Sequence, residues 1–149
     1  MKKIILFLLC YPIFLFSGVF EHLINKDKTY LFEHNFRCNN SICISSEKNI
    51  FDNAVMDHSV KVIKTFLDHN DKVFKIEIEL SIYNEKREAF YDAILRTASK
   101  KERFKYSSYM VNDKYGNHPF IDIIDTTMEK KYISHLSDIF YKTMTSYKN

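Results

Sequence analysis

Residues 73–83 read Val-Phe-Lys-Ile-Glu-Ile-Glu-Leu-Ser-Ile-Tyr, and this stretch decides the fold class. Phe74, Ile76, Ile78, Leu80 and Ile82 fall on one side of a period-two alternation, with Lys75, Glu77, Glu79 and Ser81 on the other. Side chains alternate across a strand, so the pattern describes a β-strand with one face buried and one in water. A single wet face argues for an antiparallel sheet. Upstream, the polar run Asp68-His69-Asn70-Asp71-Lys72 is a turn, and residues 59–67, β-branched and aromatic, supply the partner strand of a hairpin.

Downstream, Asn84 can cap a helix with Glu85 in its first turn, and Phe90, Ala93, Ile94 and Thr97 form that helix's buried stripe. Residues 104–111 read as a strand, 112–119 as a turn holding Gly116, and 120–124 as a short strand. Thr126-Thr127-Met128-Glu129 has the spacing of a capping box. The last helix then carries Met128, Tyr132, Leu136, Ile139, Thr143 and Tyr147 along one side, the pattern of an amphipathic helix laid on a sheet. Towards the N-terminus, residues 36–45 form a hairpin, and 47–57 place Ile50, Phe51, Ala54 and Val55 on a short helical stripe. Residues 21–35 fit helix or strand equally, and either the core or a tether. The expected architecture is α+β: an antiparallel sheet of four to six strands with two main helices on one face, in strand-strand-helix order repeated after residue 59.

The first twenty residues, MKKIILFLLCYPIFLFSGVF, concern destination. Lys2 and Lys3 precede an uncharged run over residues 4–16, and Ser17-Gly18 supplies small residues at its end. That order is a secretory signal peptide, with the best cut after Ser17. Two alternatives stay open. Residues 4–20 are barely long enough for an uncleaved membrane anchor, which Pro12 would kink. Cys10 could be a lipidation site, though Phe7-Leu8-Leu9 before it are bulky. Each reading puts the body, residues 19–149, outside the cytoplasm as one domain. The membrane then enters only through an uncleaved leader.

The chain carries 22 Lys and Arg, 19 Asp and Glu, and a formal net charge of +3. Without Lys2 and Lys3 the body is nearly neutral, so no electrostatic footprint for nucleic acid is present. Two glycines in 149 residues exclude phosphate-cradling and dinucleotide-binding loops. Tight turns then fall to Asn and Asp. The body keeps two cysteines, Cys38 and Cys43, spaced about a turn sequence. In an oxidising compartment they pair, closing a loop worth roughly 2 kcal/mol. A two-residue spacing, not this one, marks redox pairs.

Six histidines raise metal or catalytic readings. Asp57-His58 and Asp68-His69 are adjacent pairs, but neighbours in sequence point different ways, and no His-x-x-x-His motif is present. Residues 68–79 lack the glycine of a calcium loop. Glu77 and Glu79 share a strand face, where solvated carboxylates are common. No nucleophile elbow exists. No metal, cofactor or catalytic set is therefore expected. Tyr106, Tyr109, Tyr115, His118 and Phe120 gather around the 112–119 turn, and aromatic side chains anchor protein interfaces. The expected function is a small exported, non-enzymatic module that binds another protein, for example an envelope component or a toxin it neutralises. A hydrolase using His58, His69 or His118 with a carboxylate, and a small-ligand carrier, are the alternatives.

Overall fold

The turns are built as a glycine-poor chain must build them. Asn25, Asn35, Asn40 and Asp71 all take positive φ, between 54° and 65°, and Gly116 takes φ 130°. Asn and Asp tolerate this region because their short polar side chains bond locally. The computed structural model describes residues 20–45, 60–81 and 102–146 together with Glu88, Tyr91, Asp92, Leu95, Arg96 and Ala98, and six strands and two helices are complete among the described residues.

After a 3-10 turn at Glu21–Leu23 come α1 (Lys28–Glu33), β1 (Arg37–Asn39), β2 (Ile42–Ser45), β3 (Val60–Leu67), β4 (Val73–Leu80), β5 (Phe104–Asp113), β6 (Gly116–Asp125) and α2 (Thr126–Ser146). The strands form one sheet in the order β1-β2-β3-β4-β6-β5, antiparallel at every step. The fold is α+β. Chain order and spatial order part company at the end: β5 lies on the outer edge, and β6 turns back to fill the place beside β4. The helix expected over 47–57 lies outside the described residues. So does most of the one expected after Asn84, although Glu88, Tyr91, Asp92, Leu95 and Arg96 are helical and Tyr91 packs against the core. The strand-strand-helix order is therefore matched only loosely.

Alternation on β3, β4 and β6 delivers one apolar face. Ile63, Ile76, Ile78, Ile121 and Ile123 are fully buried on it, with Thr65 among them. The ambiguous N-terminal segment covers this face. Phe20, Leu23, Leu31 and Phe36 are buried there. Backbone bonds fix the docking: Asn25 N donates to Val73 O at 2.8 Å, and Val73 N donates to Lys26 O at 2.9 Å. Asp27 caps α1 through Tyr30 N (3.0 Å) and pairs with Lys72 (3.3 Å). Residues 20–36 thus belong to the core and are not a tether.

Two sequence expectations need correction. The 112–119 turn is much shorter: β5 and β6 pair down to Asp113↔Gly116, leaving only Lys114 and Tyr115 to turn. Pro119 sits inside β6, opposite Met110 and one residue beyond the last β4–β6 pair, so its missing N–H withholds nothing from β4. The cap of α2 also moves back by one residue. Asp125 Oδ1 accepts from Thr127 N (3.0 Å) and Met128 N (3.1 Å), whereas the Thr126 hydroxyl donates to Arg103 O (2.9 Å). A carboxylate at the N-cap satisfies two of the helix's orphan N–H groups and suits its dipole.

α2 meets the sheet with its first turns only. Met128 packs against the core, the Tyr132 ring lies 5.1 Å from Phe74, and His135 stacks on His69 at 4.0 Å. The helix has no buried residue. No helix among the described residues is long and apolar enough to cross a membrane.

Candidate interaction surface

The sheet's second face is polar, and its rows follow from register. One row runs Lys64-Glu77-Asp122-Ser107 across four strands, and the next runs Val62-Glu79-Phe120-Tyr109. Glu77 and Asp122 are direct cross-strand neighbours, an arrangement that repels unless countered. Three groups counter it. Lys64 Nζ reaches Glu77 Oε1 at 2.9 Å, and Lys75 Nζ reaches Asp122 Oδ2 at 2.8 Å. The Tyr109 hydroxyl donates between the two carboxylates, 3.2 Å from Asp122 Oδ1 and 3.3 Å from Glu77 Oε2. Burial, reinforced by these two negative charges, pushes the Tyr109 phenol well above its ordinary value of 10.0. Its ring stacks on Phe120 with centroids 5.5 Å apart.

A second cluster lies one row towards the β5–β6 turn. His118 Nδ1 lies 3.0 Å from Glu79 Oε1, and its Nε2 lies 3.1 Å from Asp113 Oδ1. Lys61 Nζ also reaches Glu79 Oε1, at 2.7 Å. Burial alone would push the Glu79 carboxyl up, but the hydrogen bonds from Lys61 and His118 outweigh it and hold the group below its ordinary 4.5. Asp113 is held low chiefly by the N–H of Tyr115, with His118 adding to it. Chemically, the face is self-neutralised. Lys61, Lys64 and Lys75 answer Glu77, Glu79 and Asp122, and both ring nitrogens of His118 are engaged by carboxylates. A histidine so held has no free nitrogen within reach of a substrate proton. Among the described residues no group of three or more His, Cys, Asp or Glu could hold a metal ion.

The residues singled out in sequence are divided by strand parity. Tyr109, His118 and Phe120 meet on the polar face. Tyr115 stands at the hairpin tip, 78% exposed, with exposed Val111 behind it. Tyr106 lies on the opposite, apolar face against the core, where its hydroxyl has no hydrogen-bond partner. His58 and Asp57 lie outside the described residues. His69 is exposed on its turn; the neighbouring Asp68 carboxylate spends itself on Asn70 N (2.8 Å) and Lys72 N (3.0 Å) instead of on the imidazole. Cys38 and Cys43 are disulfide-bonded as a cross-strand pair closing the β1–β2 hairpin, with Cys43 fully buried. Asp122, Lys61 and Lys64 escaped the sequence reading, which placed only Lys75 on the polar side of its strand. Period two places Asp122 and Lys64 on the wet face, and the irregularity between Val60 and Val62 brings Lys61 to Glu79, but only the spatial order β3-β4-β6-β5 gathers them.

No protein-family model, no curated protein and no solved structure matches this chain.

Proposed function

We propose that this chain is a small extracytoplasmic protein-interaction module, without chemistry of its own, that presents the β5–β6 hairpin tip to another protein. The carrying observation is the contrast at that hairpin. Two of its polar groups, His118 and Asp113, bond inside the chain, while Tyr115 and Val111 stand in water. A large amphipathic ring on a rigid hairpin buries area at small entropic cost, which is what interface anchors do. Export is supported by the leader pattern and by the bonded cysteines, which persist in oxidising compartments. Phe20, downstream of a cut after Ser17, is buried in the core. The envelope or a secreted toxin would supply the partner.

Native mass spectrometry of the protein purified from its own cells tests this. The expected spectrum contains a chain beginning at Gly18, lighter by the two hydrogens of a disulfide, with a stoichiometric second protein. Tyr115→Ser is expected to abolish that second mass without changing the melting temperature. A lone chain, or a complex that survives Tyr115→Ser intact, would refute the reading. For the hydrolase alternative, His118→Gln separates the roles: loss of a measured hydrolytic activity at unchanged stability would replace the present proposal.

A further inference from the structure

The two outer strands of the sheet are guarded very differently. β1 is three residues long and tied back to β2 by the Cys38–Cys43 bond. β5 is ten residues long, holds neither Pro nor Gly, and pairs with β6 without a bulge from Phe104↔Asp125 to Asp113↔Gly116. Among the described residues no strand lies beyond it and no backbone bond reaches its outer side. Alternate N–H and C=O groups along that side therefore face outward. A strand edge that must stay single is shortened, bulged, broken by Pro or studded with Lys. β5 has one lysine, Lys105, near its start, and Pro119 stands on β6 inside the sheet. Such an edge is a template for one more strand.

We infer that β5 pairs antiparallel with the β5 of a second copy about a two-fold axis through Tyr109, joining two six-stranded sheets into one. Register and charge choose this occupant. A continuous sheet keeps its apolar face on one side, and directly opposed residues share a face. Opposed positions are then both odd or both even, which sets the axis on a residue. Only axes through Ser108 or Tyr109 engage nine of the ten residues, 104–112 or 105–113. The axis through Tyr109 sets Lys105 against the partner's Asp113 at both ends. Lys105 is exposed and joins no ion pair among the described residues, and both bonds of Asp113 use Oδ1, leaving Oδ2 for it. The axis through Ser108 instead faces Lys105 with Val111, and Asp113 with Arg103, whose Nε is already 3.3 Å from Asp125. On the axis itself the two Tyr109 side chains lean apart, each reaching back over its own β6 and β4 to Asp122 and Glu77. The pairing adds roughly one backbone bond per residue. Being isologous it stops at two copies, because each spends its one long edge.

This inference does not rest on the hairpin-tip reading. Tyr115 lies beyond the nine paired residues, so Tyr115→Ser is expected to leave the dimer intact. Sedimentation equilibrium of the untagged protein over a micromolar concentration series tests the pairing, and a monomer–dimer equilibrium is expected. Lys105→Glu sets acid against acid at both ends, and Asp113→Lys sets base against base. Each is expected to weaken the dimer on the order of tenfold. An equimolar mixture of the two variants restores both charge pairs, and a heterodimer of wild-type affinity is expected from it. Circular dichroism checks that each variant keeps its fold. Amide exchange of the unaltered protein needs no variant: the outward amides of β5 should slow as concentration rises. A monomer throughout the series overturns the inference. So does a dimer whose β5 amides ignore concentration, since the contact would then lie elsewhere. Folded charge variants that dimerise like the unaltered chain, or that fail to recover on mixing, overturn it as well.

Discussion

Tyr109 shows how one hydroxyl can organise a sheet face. Its proton lies between Glu77 and Asp122, and its ring covers Phe120. Tyr109→Phe keeps the stacking and leaves two facing carboxylates without their shared donor. A loss of about 1–2 kcal/mol is expected in chemical denaturation. The variant should also lose sensitivity to high pH. Because the folded phenol is held above its ordinary 10.0, its contribution is complete below that value and fades as pH rises through it. Glu79 works in the opposite direction. Its folded carboxyl is held below 4.5, so its contribution is present above that value and disappears as pH falls through the depressed one. Glu79→Gln should therefore flatten the acid limb of a melting-temperature profile measured from neutral pH downward. If both profiles keep their wild-type shape, the network does not stabilise the fold. Strand parity made Glu77 and Glu79 legible as wet-face residues in the sequence. Their partners Asp122 and Tyr109 were not legible, because no local pattern says that β6 lies between β4 and β5.

Among the elements, the β1–β2 hairpin and α2 behave in contrasting ways. The hairpin was legible from Cys38 and Cys43 and the Asn-rich turn between them, and Asn40 does take positive φ. Replacing both cysteines with Ala should cost about 2 kcal/mol through the lost loop constraint, measured against the oxidised chain. Reduction of the native protein should reproduce that shift, and its failure to do so would place the cost in the packing of Cys43. For α2 the helical period was plain, but the same periodicity serves a helix packed along its whole length or only at one end. Its start was misplaced because Thr126 and Glu129 satisfy a capping pattern that Asp125 pre-empts from the end of β6. Asp125→Ala removes the acceptor of two N–H groups and the partner of Arg103, 3.3 Å away. A loss of about 1–2 kcal/mol is expected, with fraying confined to the first turns in amide exchange.

For the molecule as a whole, the N-terminal segment is the surprise. Residues 21–35 show no period because the segment is assembled from a 3-10 turn, a two-turn helix and a backbone clasp on Val73. Its apolar residues are spaced by that irregular path. Leu31→Ala, at a fully buried site, should cost about 2–5 kcal/mol. A chain beginning at Phe36 should fail to give a cooperative thermal transition, and a sharp melt from that fragment would show that the sheet can bury its face without the segment. The strand order has a consequence of another kind, for timing. β1 to β4 pair with near neighbours in the chain, but Glu79↔Phe120 and Lys75↔Ile124 join residues 41 and 49 positions apart (120 − 79 and 124 − 75). Closing loops of that length is the entropically dear step of assembly. A chain made N-terminus first displays β4 with one side bare until β6, Gly116–Asp125, has followed. The interval before β6 arrives is when the free edge of β4 is most open to capture by another strand.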